Sequence, residues 1–477
     1  MKKIISMLLV FVLALSLFGC NTSGNAETTA ATEPQEPAVL MAGYSRQVIT
    51  PDGPVPLGGY GNTHLRTTDN VLDDLYLTCV AFRSGDDTVL FFSSDTINSS
   101  GTLTASARVR IVKRTGVPAD HIYFCATHTH SAPDVGSTTP TIEAYLEKYQ
   151  KAAVAAAEAA IADLAPATML AAKVELENLN FIRHYLMNDG TYFGSNFGST
   201  ASGYKAHAAP NDPEMRLIKV DRGADKEAIL MMNWQAHPCF TGGVEKKDIS
   251  ADYIGVVRTA IERETGMKFI FFQGAAGNHN GFSNMPDEPD FKSDDNNGYG
   301  EELAKGAIRA LDSLQPVEGT AIKTVQVIYE AAVNHDDEDK IEEATRVNEL
   351  YKSTNSRDQG NKLARELGLS SVYHAGAILA RPSRPQKDTM EINAISIGGI
   401  AFVTAPFEMF AATGTYIKDN SPFEMTFVSS CSNGSFGYIP TTVAYDYGCY
   451  ESFTSYFAKG TAEAVGTKYV EMLNGLK

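Results

Sequence analysis

Short apolar runs separated by helical patterns set the tightest limit on what this chain can fold into. The runs are 88–93 (TVLFFS), 122–126 (IYFCA), 228–234 (AILMMNW), 269–272 (FIFF), 400–404 (IAFVT) and 425–428 (MTFV). Continuous runs of this length, rich in β-branched and aromatic residues, read as strands buried on both faces. Between them, 141–164 is rich in Ala and Glu, while 252–265 and 299–314 place apolar residues at helical spacing. A helix over 453–476 closes the chain. Residues 336–367 are helical in pattern but highly charged, most simply a solvated surface hairpin. Strands alternating with helices predict an α/β fold, a mostly buried mixed β-sheet core flanked by helices, with the active site at the carboxyl ends of strands. No internal repeat is visible from residue 39 onward.

The first 38 residues stand apart. MKKIISMLLVFVLALSLFGC places Lys2 and Lys3 before an apolar stretch that ends in small residues, the layout of a secretory signal peptide. The stretch falls short of the roughly 20 residues a spanning helix needs. Leu17-Phe18-Gly19-Cys20 resembles a bacterial lipobox, with Cys20 as the lipidated residue. Residues 21–38 are polar and rich in Thr, Ala, Glu and Pro, the composition of an unfolded tether. The expected product is a lipoprotein anchored to the membrane through Cys20, at the bacterial cell surface or periplasmic face, with 39–477 as its catalytic domain. That compartment permits disulfides, and Cys431 and Cys449 could pair, which sequence alone leaves open. The formal charge of −17 argues against nucleic acid and anionic surfaces, since both need a basic footprint. No protein partner is expected.

Residues just past the strands carry the function. Run 88–93 leads to Asp95, 122–126 to His128-Thr129-His130, and 228–234 to His237. Run 269–272 leads to Asn278-His279, 400–404 to Glu408, and 425–428 to Tyr438. One His after a strand is commonly a loop or core residue. Six exits that all end in metal-binding or proton-moving groups point to a shared site. His128 and His130 lie two apart, so on an extended strand both rings face one side, one for metal and the other for substrate. That spacing excludes a helical HExxH site. Glu408 would be costly unpaired in its apolar surroundings. Two His and one Glu around an open position is the composition of a catalytic zinc site.

In order along the chain, Thr127-His128-Thr129-His130-Ser131-Ala132-Pro133, Asn233-Trp234-Gln235-Ala236-His237-Pro238, Ile249-Ser250-Ala251-Asp252-Tyr253, Gln273-Gly274-Ala275-Ala276-Gly277-Asn278 and Gly437-Tyr438-Ile439-Pro440-Thr441 resemble motifs of the neutral/alkaline ceramidase family. The opening Ala42-Gly43-Tyr44-Ser45-Arg46-Gln47-Val48-Ile49-Thr50-Pro51 is similar to that family's first strand. The resemblance implies one Zn2+ held by His128, His237, Glu408 and Tyr438, the zinc favouring phenolate. It also implies that His130 meets the substrate or attacking water, that Arg183 faces a developing oxyanion, and that Tyr450 is the family's second tyrosine. The family hydrolyses the amide of ceramide.

Three departures qualify the resemblance. The family's Gly-Asp-x-Ser-Pro-Asn loop carries a Ser assigned as nucleophile, and here it reads Gly277-Asn278-His279-Asn280. The match is to the catalytic domain only, without the family's C-terminal immunoglobulin-like domain. Residues 336–367 match none of the family's motifs quoted above. The expectation is a zinc-dependent hydrolase of a C–N amide bond in a ceramide-like lipid or other small N-acyl substrate. Metal-activated water is the nucleophile, His130 the general base, and Asn278 and His279 orient the water or stabilise the leaving amine. Ser131 and Ser250 read as loop-stabilising hydroxyls. One alternative is a zinc deacetylase of another N-acyl compound, such as a cell-wall amino sugar. A solute-binding lipoprotein is the rival from a different class; it would have two similar lobes and a hinge linker, and neither is visible.

Overall fold

In the computed structural model the apolar runs become strands of three sheets. The structure describes residues 38–477 apart from 61–65, 197–198, 244, 289–290 and 292–293. Cys20, the signal segment and the tether up to residue 37 lie outside the described residues.

The first sheet contains β1 (Leu40–Val48), β2 (Tyr76–Ser84), β3 (Asp87–Ser94) and β4 (Ile122–Ala126), side by side in that order. β1, β2 and β3 are antiparallel neighbours, while β4 is parallel to β3. The parallel step needs a crossover, which α1 (Gly101–Thr115) supplies. Helix α2 (Pro140–Ala162) comes next and packs against α1 and β1. Gly43 in β1 permits that approach, because a Cβ there would lie 2.0 Å from the carbonyl oxygen of Ala160.

The same plan recurs. The second sheet runs β5 (Thr168–Glu175), β6 (Glu214–Asp221), β7 (Ile229–Trp234), β8 (Lys268–Gln273). Helix α3 (Tyr253–Thr265) crosses between the parallel pair β7 and β8, and α4 (Asn296–Ala310) comes after them. The third sheet begins with the antiparallel pair β9 (Ile322–Ala332) and β10 (Lys387–Ile397). Between those two strands lie α5 (Ile341–Thr354), α6 (Arg357–Glu366) and α7 (Val372–Ala380). β11 (Ile400–Thr404) pairs in parallel with β12 (Met425–Ser429) across α8 (Ala411–Asp419), and α9 (Thr461–Leu476) completes the unit. The absence of a repeat in the sequence is therefore corrected at the level of connectivity. The three units share a pattern of burial without sharing residues, because any apolar side chains of suitable volume satisfy it.

The inner faces of the three sheets meet in one core. Phe91, Phe272 and Phe402, one from each sheet, touch: Phe91 is 6.2 Å from Phe272 and 4.6 Å from Phe402, ring centre to ring centre, and Phe272 is 6.3 Å from Phe402. The outer faces pack on their own helices, so Leu90 and Phe92 of β3 join α1 and α2. Burial on both faces is why β3 reads as an unbroken apolar run.

Two expectations about helices change. Residues 336–367 are not a solvated hairpin: α5 and α6 fold with α7 around a small core of Ala344, Val347, Ala364, Leu369, Val372 and Ile378. The stretch 453–476 is two elements, a turn of helix at Tyr450–Thr454 and α9, because Phe457 bridges to Val333 between them. β9 went unread in the sequence. It is an edge strand whose side chains alternate with solvent, leaving Ile328 61% exposed. Among the described residues, no helix is long and apolar enough to cross a membrane.

Candidate active site

Strand ends from all three sheets converge on one centre. His128 lies just past β4 of the first sheet, His237 past β7 of the second, and Glu408 past β11 of the third. Glu408 and Tyr438 are brought side by side as partners in a short parallel pairing.

The two histidines of the Thr-His-Thr-His segment do not sit on an extended strand. β4 ends at Ala126, and His128 adopts a left-handed backbone with φ 69°. This conformation is strained for a non-glycine residue. It is held by the main-chain bond from His128 N–H to the Thr96 carbonyl and by the ring Nδ1, which donates to the Ile97 carbonyl at 2.6 Å. The turn, rather than strand alternation, brings His128 Nε2 within 3.4 Å of His130 Nε2. The His237 ring is fixed in the same manner, its Nδ1 2.8 Å from the Ala276 carbonyl. With Nδ1 carrying the proton, both Nε2 lone pairs face the pocket, the usual preparation of a metal-binding imidazole. Glu408 Oε2 lies 3.1 Å from His128 Nε2 and 3.2 Å from His237 Nε2.

The electrostatics call for a positive charge here. Burial by itself would raise the Glu408 carboxyl, but His128 and His237 beside it hold it well below the usual range. Burial pulls His128 down, yet the Cys431 sulfur and the Glu408 carboxylate push it well above an ordinary imidazole. His237 falls to about 4 through burial and the nearby Arg183. A carboxylate flanked by two imidazoles can be neutralised by a proton on His128 or by a cation. One ligand atom each from His128, His130 and His237 lies within 4.8 Å of the others, so the donor set fits a divalent ion. His130, placed at the substrate by sequence, thus stands equally close to the centre. Its Nδ1 is buried without a partner. Gly59, at φ 103°, closes over that ring, and a Cβ there would sit 2.6 Å from Nδ1.

Neither a family model nor a curated protein matches the sequence. By structure, the chain is similar to the neutral ceramidase from Pseudomonas aeruginosa, with a TM-score of 0.69 and 17% identity over 92% of this chain and 74% of that one. It is also similar to a ceramidase complexed with C2, with a TM-score of 0.68 and 16% identity over 92% and 75% of the two chains. The fold is that of the neutral ceramidases.

In this ceramidase fold, Arg183 is buried against Tyr438. Its Nη2 donates to the Tyr438 hydroxyl at 3.2 Å and to the Gly277 carbonyl at 2.9 Å. Two further bonds, from Nε and Nη2, reach Glu451 Oε1 at 2.9 and 2.6 Å. Glu451 also accepts from His184 Nε2 at 2.9 Å. Burial would raise the Glu451 carboxyl, but His184 and Arg183 hold it far below the ordinary range. Glu451 orients Arg183, and breaking such a buried pair costs about 3–5 kcal/mol. Glu451 and His184 escaped the sequence reading, since their partners lie hundreds of positions apart and no local motif marks them. Tyr450 lines the pocket with its ring 5.9 Å from that of Tyr438.

The other strand exits turn away. Asn278 Oδ1 accepts from the Ala411 N–H and so anchors the start of α8. The His279 ring is fully buried between the Ala275 carbonyl and the Asp212 N–H. In this structure both ring nitrogens of His279 and the Oδ1 of Asn278 are engaged by the chain itself. Asp95 is tied to Arg258 at 2.8 Å. Ser131 meets the Thr241 hydroxyl, and Ser250 donates to Asp73. Cys431 and Cys449 are both free thiols, and Cys431 Sγ stands 3.5 Å from His128 Nδ1.

Proposed function

We propose that the chain is a zinc-dependent amide hydrolase acting on an N-acyl compound, as the likeness to ceramidases suggests. The carrying observation is the convergence of His128, His237 and Glu408 from three separate sheets, with both imidazole Nε2 atoms turned inward. His128, His237 and Glu408 would hold the ion, with Tyr438 beside them. A zinc ion there would polarise the amide carbonyl and lower the pKa of an attacking water.

The chain's own residues do the rest. Arg183 stands beside the Tyr438 hydroxyl, where a guanidinium neutralises charge gathering on the carbonyl oxygen. Burial favours the neutral ring of His130, whose Nε2, 3.4 Å from that of His128, is the atom placed to accept a proton from water and return it to the leaving amine. Among the described residues that line the pocket, no hydroxyl or thiol is paired with a base as a nucleophile would be; the Thr454 hydroxyl donates to the Tyr450 carbonyl. Burial pushes the Cys431 thiol up, which keeps it protonated. Ser435, which also lines the pocket, is exposed and bonds to none of the site histidines. Water is the nucleophile that remains. The same reading places the enzyme on a lipid tether at Cys20, and a Cys20→Ala protein still found in the membrane fraction would remove that tether.

The test is metal analysis of protein purified without chelator, joined to a panel of N-acyl amides scored for amine release. One zinc per chain and chelator-sensitive hydrolysis, untouched by serine-directed reagents, is the expected result. A metal-loaded protein that cleaves no amide overturns the proposal.

A further inference from the structure

Three cavities bear on what the substrate is. The one holding His128, Glu408 and Tyr438 has a volume of about 290 Å³. A second, of about 520 Å³, adjoins it at Tyr450, a wall residue common to both. Its lining is mixed: the rings of Tyr192, Phe193, Phe453 and Tyr373, the last set edge-on to Tyr450 at 5.7 Å, line it together with Arg357 and Arg365. The third, about 530 Å³, is the apolar one, walled by Pro210, Phe410, Tyr416, Val443 and Ala462. It has no wall residue in common with either of the other two.

The most apolar cavity therefore shares no wall with the reacting centre, and the cavity that does share one carries the arginines. A substrate reaching beyond Tyr450 meets two guanidiniums set among aromatic rings. An alkyl chain laid across Arg357 and Arg365 would desolvate them without return. The charge of this cavity also departs from the rest of the molecule. The chain as a whole carries −17, yet this wall presents two arginines against the single exposed Asp358. Arg365 makes no ion pair among the described residues, and the Ser370 hydroxyl beside it is buried without a partner. A guanidinium matches a carboxylate in geometry and charge.

From this, and resting on the amide-hydrolase reading, we infer that the substrate is a small N-acyl compound with a carboxylate near the scissile amide, held by Arg357 and Arg365 past Tyr450. The α5–α7 connection between β9 and β10 supplies both arginines.

The probes are matched pairs offered to the zinc-loaded full chain. They are an N-acetylated amino acid and its carboxamide, an N-acetylated sugar acid and the neutral sugar, and a long-chain ceramide. The expected kcat/KM favours the carboxylate member by roughly tenfold, the low end for a hydrogen bond to a charged group. Whichever pair is cleaved faster tells amino acid from sugar acid. In Arg365→Glu the preference disappears, chiefly through KM, and Arg365→Lys restores part of it. Ceramide as the best substrate, or a preference unmoved in Arg365→Glu, overturns this inference and leaves amide hydrolysis standing. No hydrolysis in any arm overturns the amide-hydrolase reading and this inference with it.

Discussion

At the residue scale, the roles of two neighbouring histidines separate by experiment. His237 Nε2 and Glu408 share the centre, and His237 has no other duty for that atom. His237→Ala is expected to lose bound zinc, measured by elemental analysis, and with it at least about 10³-fold in kcat, the scale for losing metal assistance. His130→Ala is expected to keep the zinc while losing about 10²–10³-fold in kcat, the range for a general base. Zinc lost equally from both would make His130 a ligand. A second prediction concerns Asp252, which caps α3 and accepts from the Thr241 and Tyr253 N–H groups. Burial raises its carboxyl from 3.8 to about 6. Between those values the folded chain holds a proton that the unfolded chain has released, so this contribution to stability is full below pH 3.8 and lost as pH rises through 6. Measured against an Asp252→Asn variant by urea unfolding, wild-type stability is expected to fall by ~3 kcal/mol across that window and to stay level above it. A flat difference would show that the carboxyl titrates normally.

At the element scale, the charged helical connection is separable from the frame. β9 and β10 pair as far as Ala332 with Lys387, so residues 333–386 hang from the end of a hairpin. They bring their own core and none of the metal-facing groups. They also reach the site's edge: the Tyr373 ring is set edge-on to Tyr450 at 5.7 Å, and its hydroxyl donates to the Tyr60 carbonyl at 3.3 Å. Replacing 333–386 with a two-residue turn is expected to leave zinc stoichiometry unchanged and to raise KM by about tenfold or more, as when binding contacts are removed. Loss of zinc in that variant would mean that the connection braces the ligands.

On the scale of the whole molecule, the site depends on three sheets keeping register. Each sheet delivers one of His128, His237 and Glu408, and the sheets are locked through Phe91, Phe272 and Phe402. Phe402→Ala is expected to cost ~3–5 kcal/mol in unfolding free energy. It should also weaken zinc affinity in a chelator competition, although Phe402 touches no ligand. Ile328→Ala, on the exposed edge of the same sheet, should stay within ~0.5 kcal/mol and leave affinity alone. Equal effects from the two would refute the coupling of core to centre.

Read alone, the sequence determined the α/β class, the central strands and the residues that meet at the centre, because those are local properties. A strand buried on both faces must be apolar throughout, and the first polar residue past its end is free to do chemistry. His128, His237, Glu408 and Tyr438 were legible for that reason, whereas Arg183 and Tyr450 came only from the resemblance to the family's motifs. Tertiary structure alone decided which exits turn inward. Asp95, Asn278 and His279 come after strands just as His237 does, yet each is taken by a partner remote in sequence, Arg258, α8 and Asp212. Glu451 was invisible for the converse reason, a charge with no local sign of the arginine it holds. The threefold use of one connectivity was hidden as well, since burial constrains volume and polarity and leaves residue identity free.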